Sequence, residues 1–155
     1  MMGRRALSAV ALLAAALAPG VLDVELAHGA GPTCTAAVLN GLYMFSATGY
    51  NIPATGPAQP FAILELIRFN GDGTLTVPGV ALSLNGVIPV IPPGEPGTYT
   101  VVDLNPPERG CGGRISFLLS GVHLTIFVPL GSSTIWMIQT DPNTALQGTA
   151  TMVSR

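Results

Sequence analysis

The chain contains no lysine, and that absence already excludes much. All 6 basic side chains are arginine, so Schiff-base and lysine-base chemistry are ruled out. Charge of either sign is scarce: Asp, Glu, Lys and Arg make up 9% of 155 residues, against roughly 25% in an ordinary globular protein. The formal net charge is −2, and no cluster of cations exists to displace the counterions of a nucleic acid. Histidine is nearly as rare. His123 is the only one beyond the N-terminal region, and a single histidine builds no zinc site without two or three further ligands.

Motifs that carry chemistry are missing too. No Gly-x-Ser-x-Gly element occurs. Gly110 to Arg114 is glycine-rich but lacks the Gly-Lys-Ser/Thr ending of a phosphate loop. Asn70 to Gly73 lacks the spaced acids of a calcium loop. The sequence therefore assigns no catalytic residue, no metal ligand and no cofactor, and whether the protein is an enzyme stays open, leaning to no.

What is present begins at the N-terminus. Arg4-Arg5 precede an apolar and small-residue run from Ala6 to Ala18, broken by Pro19-Gly20. Ala27-His28-Gly29 then places small residues around a cleavage position. This layout predicts a secretory signal peptide over residues 1–29, one domain over 30–155, and a secreted or periplasmic destination. Asp23 and Glu25 lie before the proposed cut and blur its position. The apolar run falls short of the roughly 20 residues that span a bilayer, so no integral membrane span is expected in the mature chain. Cys34 follows Gly31-Pro32-Thr33 rather than a Leu-small-small run, which speaks against a lipoprotein.

Cys34 and Cys111 are the only cysteines. In an oxidising compartment two cysteines of a small domain usually pair, and the expectation is a Cys34–Cys111 disulfide. The alternative of two free thiols lacks a neighbouring His or Lys to activate them. Gly110 and Gly112-Gly113 read as a flexible loop carrying Cys111 to its partner.

Beyond the leader no stretch has a convincing helical period. Short β-rich runs alternate with Gly, Pro, Asn and Asp. The expected strands are 39–48, 61–69, 74–84, 97–104, 114–120, 122–128, 133–140 and 145–153. Asn70-Gly71-Asp72-Gly73 is a hairpin signal, and Pro78-Gly79 is expected to bend or divide the third strand because proline cannot donate to a ladder. Eight sequential strands with short links predict an all-β, single antiparallel up-and-down barrel of about eight strands.

Several segments carry a resemblance. Leu39-Asn40-Gly41-Leu42-Tyr43-Met44-Phe45, Phe69-Asn70-Gly71-Asp72-Gly73-Thr74-Leu75, Gly97-Thr98-Tyr99-Thr100-Val101 and the ending Ile138-Gln139-Thr140-Asp141-Pro142-Asn143-Thr144 stand in that order. Together they resemble a group of bacterial exported proteins of unknown function with small calycin-like (lipocalin- or allene-oxide-cyclase-like) barrels. The resemblance implies a calycin-like barrel over most of the mature chain. It implies no activity and no site residue.

Five residues are candidates for a ligand site. Glu65 shares an alternating face with Phe61, Ile63, Ile67 and Phe69, where a carboxylate would be desolvated and its pKa raised. The alternatives are that this face turns outward at its centre, or that Glu65 pairs with an arginine such as Arg114 across the lumen. Tyr43, Tyr99 and Trp136 sit within strands, as either lumen lining or core. His123 lies on a strand face and is conceivable as a partner of Glu65. Three classes of function follow: a module binding a small hydrophobic molecule with the apolar segment 87–93 as a lid, a cyclase- or isomerase-like enzyme using a lumen carboxylate, and a structural or interaction protein of the cell envelope. An outer-membrane barrel is a weaker fourth, since several strands fall short of the 9–11 residues such barrels need.

Overall fold

The computed structural model describes residues 33–104 and 110–155; the expected signal peptide lies outside the described residues. Eight antiparallel strands form a closed barrel in sequential order. They are β1 (Asn40–Asn51), β2 (Gln59–Asn70), β3 (Thr74–Leu84), β4 (Glu95–Asp103), β5 (Gly110–Phe117), β6 (His123–Pro129), β7 (Thr134–Gln139) and β8 (Thr144–Ser154). β8 closes on β1 from Leu42↔Ser154 to Asn51↔Thr144. Closure pairs most of the sheet edges, which such uncharged strands could not otherwise protect, although β3 beyond Val77 has no partner on β4.

Alternation along each strand sorts the side chains. Tyr43, Phe45 and Ala47 of β1, Ile67 and Phe69 of β2, Leu75 and Val77 of β3, and Ile135 and Met137 of β7 are buried inward. Arg68, Arg114 and a series of threonines face outward. The lumen is thus an apolar core, the reverse of the polar interior of a membrane-spanning barrel.

One end is plugged. A single-turn 3₁₀ helix, Ala36–Val38, leads into Leu39, which is buried. The Tyr99 hydroxyl lies 2.9 Å from the carbonyl oxygen of Ala36 and 2.8 Å from that of Leu39, with one proton to share between the two acceptors. Beneath it Tyr43, Phe69 and Tyr99 stack edge to face, with centroids 5.3 and 5.0 Å apart, a favoured aromatic geometry. The Cys34–Cys111 disulfide ties the plug to β5, with Cα atoms 5.6 Å apart, and the Cys34 N–H donates to Asp103.

One local expectation needs correction. Gly110 to Gly113 is not a flexible loop but the start of β5, paired with both β4 and β6. The glycines are there because neighbouring backbone comes close: a Cβ on Gly113 would strike the carbonyl oxygen of Thr100, and one on Gly110 that of Val128. β5 accordingly ends at Phe117 rather than Ser120, and the turn to β6 passes through Gly121 at φ +69°. At Pro78 the expected strand 74–84 is found as one element. The strand stays whole, and the β2–β3 register slips between Leu66 and Arg68, a bulge that absorbs the missing N–H. At the Asn70–Gly73 turn, Gly71 and Gly73 take positive φ, and the Asp72 carboxylate accepts from the Thr74 N–H and hydroxyl.

Candidate functional site

The half of the barrel away from the plug is not filled. A chamber of about 270 Å³ opens there, just below the roughly 300–1,000 Å³ of small-molecule sites. Phe45, Phe61, Ile63, Leu124 and Leu146 supply its apolar walls. Asn51, Gln139 and Thr144, at the ends of β1, β7 and β8, supply neutral polar groups at its rim. Within it stands one ionisable side chain, Glu65.

β2 positions Glu65. Its Cα lies opposite Phe45 of β1 and Val80 of β3, and the alternation that buries Ile67 and Phe69 turns it into the lumen. The residue is only 6% exposed. Among the described residues no group donates a hydrogen bond to its carboxyl, and Arg114 faces outward on β5. Burial, reinforced by the nearby charge of Glu95, pushes its pKa up to about 8. At neutral pH the group therefore holds its proton and can donate a hydrogen bond to a ligand or pass a proton to one.

The other sequence candidates fall elsewhere. Tyr43 and Tyr99 face the same lumen but belong to the packed half, where burial raises both phenols. His123 stands on the outer face at the start of β6. Its Nδ1 lies 2.8 Å from Asp141 Oδ1, and its N–H donates to Oδ2. Partial burial works against the Asp141 carboxylate, but these bonds and one from the Gln139 amide hold it below the usual range. Trp136 is 59% exposed on the outer wall of β7, opposite Phe127 of β6. Segment 87–93 contributes no lining to the chamber; its Ile88 lies over the outside of β2 and β3 instead.

Alternation alone identifies Phe61, Ile63 and Glu65. It does not single out Asn51, Gln139 and Thr144, which reach the chamber only because they end strands on its open side. A roomier hollow of about 460 Å³ on the outer wall, beside Trp136 and Phe127, contains no ionisable group. Among the described residues no three His, Cys, Asp or Glu side chains gather to hold a metal, and no helix is long and apolar enough to cross a membrane. Comparison with protein-family models, with curated proteins and with solved structures gave no match.

Proposed function

We propose that this is an exported, calycin-like binding protein that holds a small, mainly apolar molecule in the chamber, with one polar atom of the ligand bonded to Glu65. The carrying observation is the carboxyl itself, buried in an apolar chamber with no donor among the described residues. Folding does not call for it, because an uncompensated buried acid lowers stability wherever the unfolded chain ionises. A residue that breaks a folding rule beside an open cavity marks a site. The protonated acid favours a ligand carrying a hydrogen-bond acceptor such as a carbonyl. The Cys34–Cys111 disulfide supports an oxidising, extracytoplasmic location.

A cyclase- or isomerase-like enzyme draws on the same carboxyl, a neutral acid poised near operating pH. Turnover requires that a bound compound leave altered, so the two readings separate by mass spectrometry of the ligand before and after incubation. For the binding reading, the side-chain methyl signals of Ile63, Leu124 and Leu146 are followed by NMR during titration with a medium-chain methyl ketone. Saturable shifts are expected, weakened by Glu65→Leu for the ketone but not for the matching alkane. Absence of any shift, together with no small molecule in native mass spectra of protein from the producing cell, would overturn the proposal.

A further inference from the structure

The barrel wall has a gap beside the chamber. β4 begins only at Glu95, opposite Val77, so β3 from Pro78 to Leu84 has β2 on one side and no strand on the other. Leu82 and Leu84 on one bank of the gap, and Phe117 and Val122 on the other, all line the chamber.

The free edge of β3 has a definite pattern. The Asn85 N–H donates to the Pro60 carbonyl, which continues the β2–β3 register and fixes which residues bond across it. Ala81 and Ser83 therefore turn their backbone groups to β2, and Val80, Leu82 and Leu84 turn theirs to the gap. Leu84 exchanges two bonds with Val87, each 2.9 Å. Val80 and Leu82 have no backbone partner on that side among the described residues.

The chain itself returns along this edge. Val87 is held opposite Leu84, and the Gly94 N–H donates to the Val77 carbonyl at 2.7 Å. Gly94, at φ +93°, and Glu95 both stand opposite Val77, the arrangement of a glycine bulge. As many residues separate Val87 from Gly94 as separate Leu84 from Val77, so the strap 88–93 is pinned at both ends in one register. That register sets Pro89 opposite Leu82 and Ile91 opposite Val80. It also sets Ile88 opposite Ser83 on the outer face, and those two side chains do line one outer hollow.

Between its pinned ends the strap makes no backbone bond to β3, and Val90 is 98% exposed. Pro89, Pro92 and Pro93 have no N–H to give a ladder. The Ile91 N–H and the carbonyls of Pro89 and Ile91 nevertheless complement the free groups of Val80 and Leu82.

We infer that strap 88–93 is a gate that closes on β3 when the chamber is loaded, Ile91 pairing with Val80 and the Pro89 carbonyl accepting from the Leu82 N–H. Paired residues project on the same face of a ladder. Closure therefore brings the Ile91 side chain beside Val80 and Glu65, which already stand opposite each other. A loaded chamber supplies apolar surface for Ile91 to cover, and that contact, absent from the empty chamber, shifts the strap. The missing donor at Pro89 leaves the closed ladder weak enough to reopen. The gate rests on the binding reading above.

Amide hydrogen exchange followed by NMR, with and without the medium-chain methyl ketone, tests it. In the free protein the amides of Val80, Leu82 and Ile91 are expected to exchange quickly and those of Ala81 and Ser83 slowly. Saturating ketone is expected to slow the first three by roughly tenfold or more. Ile91→Pro removes the strap's donor; it is expected to keep the wild-type circular dichroism spectrum and the ketone-induced methyl shifts, but to release the ketone several-fold faster. Pro89→Val supplies the missing donor and is expected to slow both entry and release. Methyl shifts without slower exchange at Val80, Leu82 and Ile91, or an unchanged release rate in both variants, would overturn the gate and leave the binding reading standing. Protection of those amides in the free protein would overturn the gate by showing the gap already shut. Absence of methyl shifts would overturn both.

Discussion

Replacing Glu65 with glutamine isolates what a buried carboxyl does to this fold. Glutamine keeps the shape and removes the ionisation. In the wild-type chain the folded state retains the Glu65 proton up to about pH 8, whereas an unfolded glutamate releases it near 4.5. Between those values the folded state binds more protons than the unfolded state, so stability falls as pH rises. The contribution of the proton is complete below 4.5, declines through the interval and is gone above about 8. At roughly 1.4 kcal/mol per pH unit, the decline is of the order of 5 kcal/mol, a large share of the roughly 5–15 kcal/mol that stabilises a domain.

The assay is urea unfolding of wild type and Glu65→Gln at several values between about pH 5 and about pH 9. The difference between the two curves is what matters, because the His123–Asp141 pair is common to both and cancels. Asp72 and Asp141, both held low, titrate below this window. Tyr43 and Tyr99, both raised above 10, titrate beyond it. The variant is expected to gain steadily on wild type as pH rises, ending several kcal/mol more stable at the alkaline limit. Parallel curves would refute the reasoning, since they would mean that the folded chain ionises Glu65 as readily as the unfolded one. The chamber would then not be the low-dielectric site on which the proposed ligand chemistry depends.

Two further outcomes concern the plugged end. Tyr99→Phe keeps the ring against Phe69 but removes the hydroxyl from the Leu39 carbonyl and from the Ala36 carbonyl, which still accepts from the Leu39 N–H; a loss of about 1–3 kcal/mol in urea unfolding is expected, with faster hydrogen exchange confined to the plug. Cys34→Ala/Cys111→Ala opens a loop of sequence separation 77 and is expected to remove about 4 kcal/mol in the chain-entropy model, so equal thermal stability with and without reductant would count against the bond.

How far the sequence revealed the site depended on whether the signal was periodic or long-range. The two-residue period in Phe61–Phe69 was enough to place Glu65 with the apolar face of β2, and the Asn70–Gly73 turn was legible from its residue types. Glycine was misleading at residues 110–113, because close approach of a neighbouring strand and loop flexibility select the same residue. Trp136 was ambiguous for a different reason. In Thr134-Ile135-Trp136-Met137-Ile138-Gln139 both faces are apolar, so alternation cannot say which is inside; the Phe127↔Trp136 pairing of β6 and β7 decides it. The plug was invisible, since it rests on a hydroxyl of β4 reaching carbonyls far earlier in the chain, at separations of 63 and 60. Without the plug, nothing distinguishes the two ends, and the location of the mouth cannot be read.

Knowing which end is plugged changes the meaning of the remaining oddities. In the closed half the Tyr99 hydroxyl has two carbonyls within hydrogen-bond reach, and the Cys34 N–H has Asp103. In the open half the carboxyl of Glu65 has no donor among the described residues, and it lowers stability wherever the unfolded chain ionises. Exposed aliphatics do not single out that half, because Val102, Leu104, Leu130 and Val153 are exposed toward the other end. The one departure confined to the open half is therefore the carboxyl, which is the group that the proposed binding of a ligand's polar atom needs. The pH series on Glu65 and the ligand titration can therefore fail separately, but only their joint success supports a binding chamber.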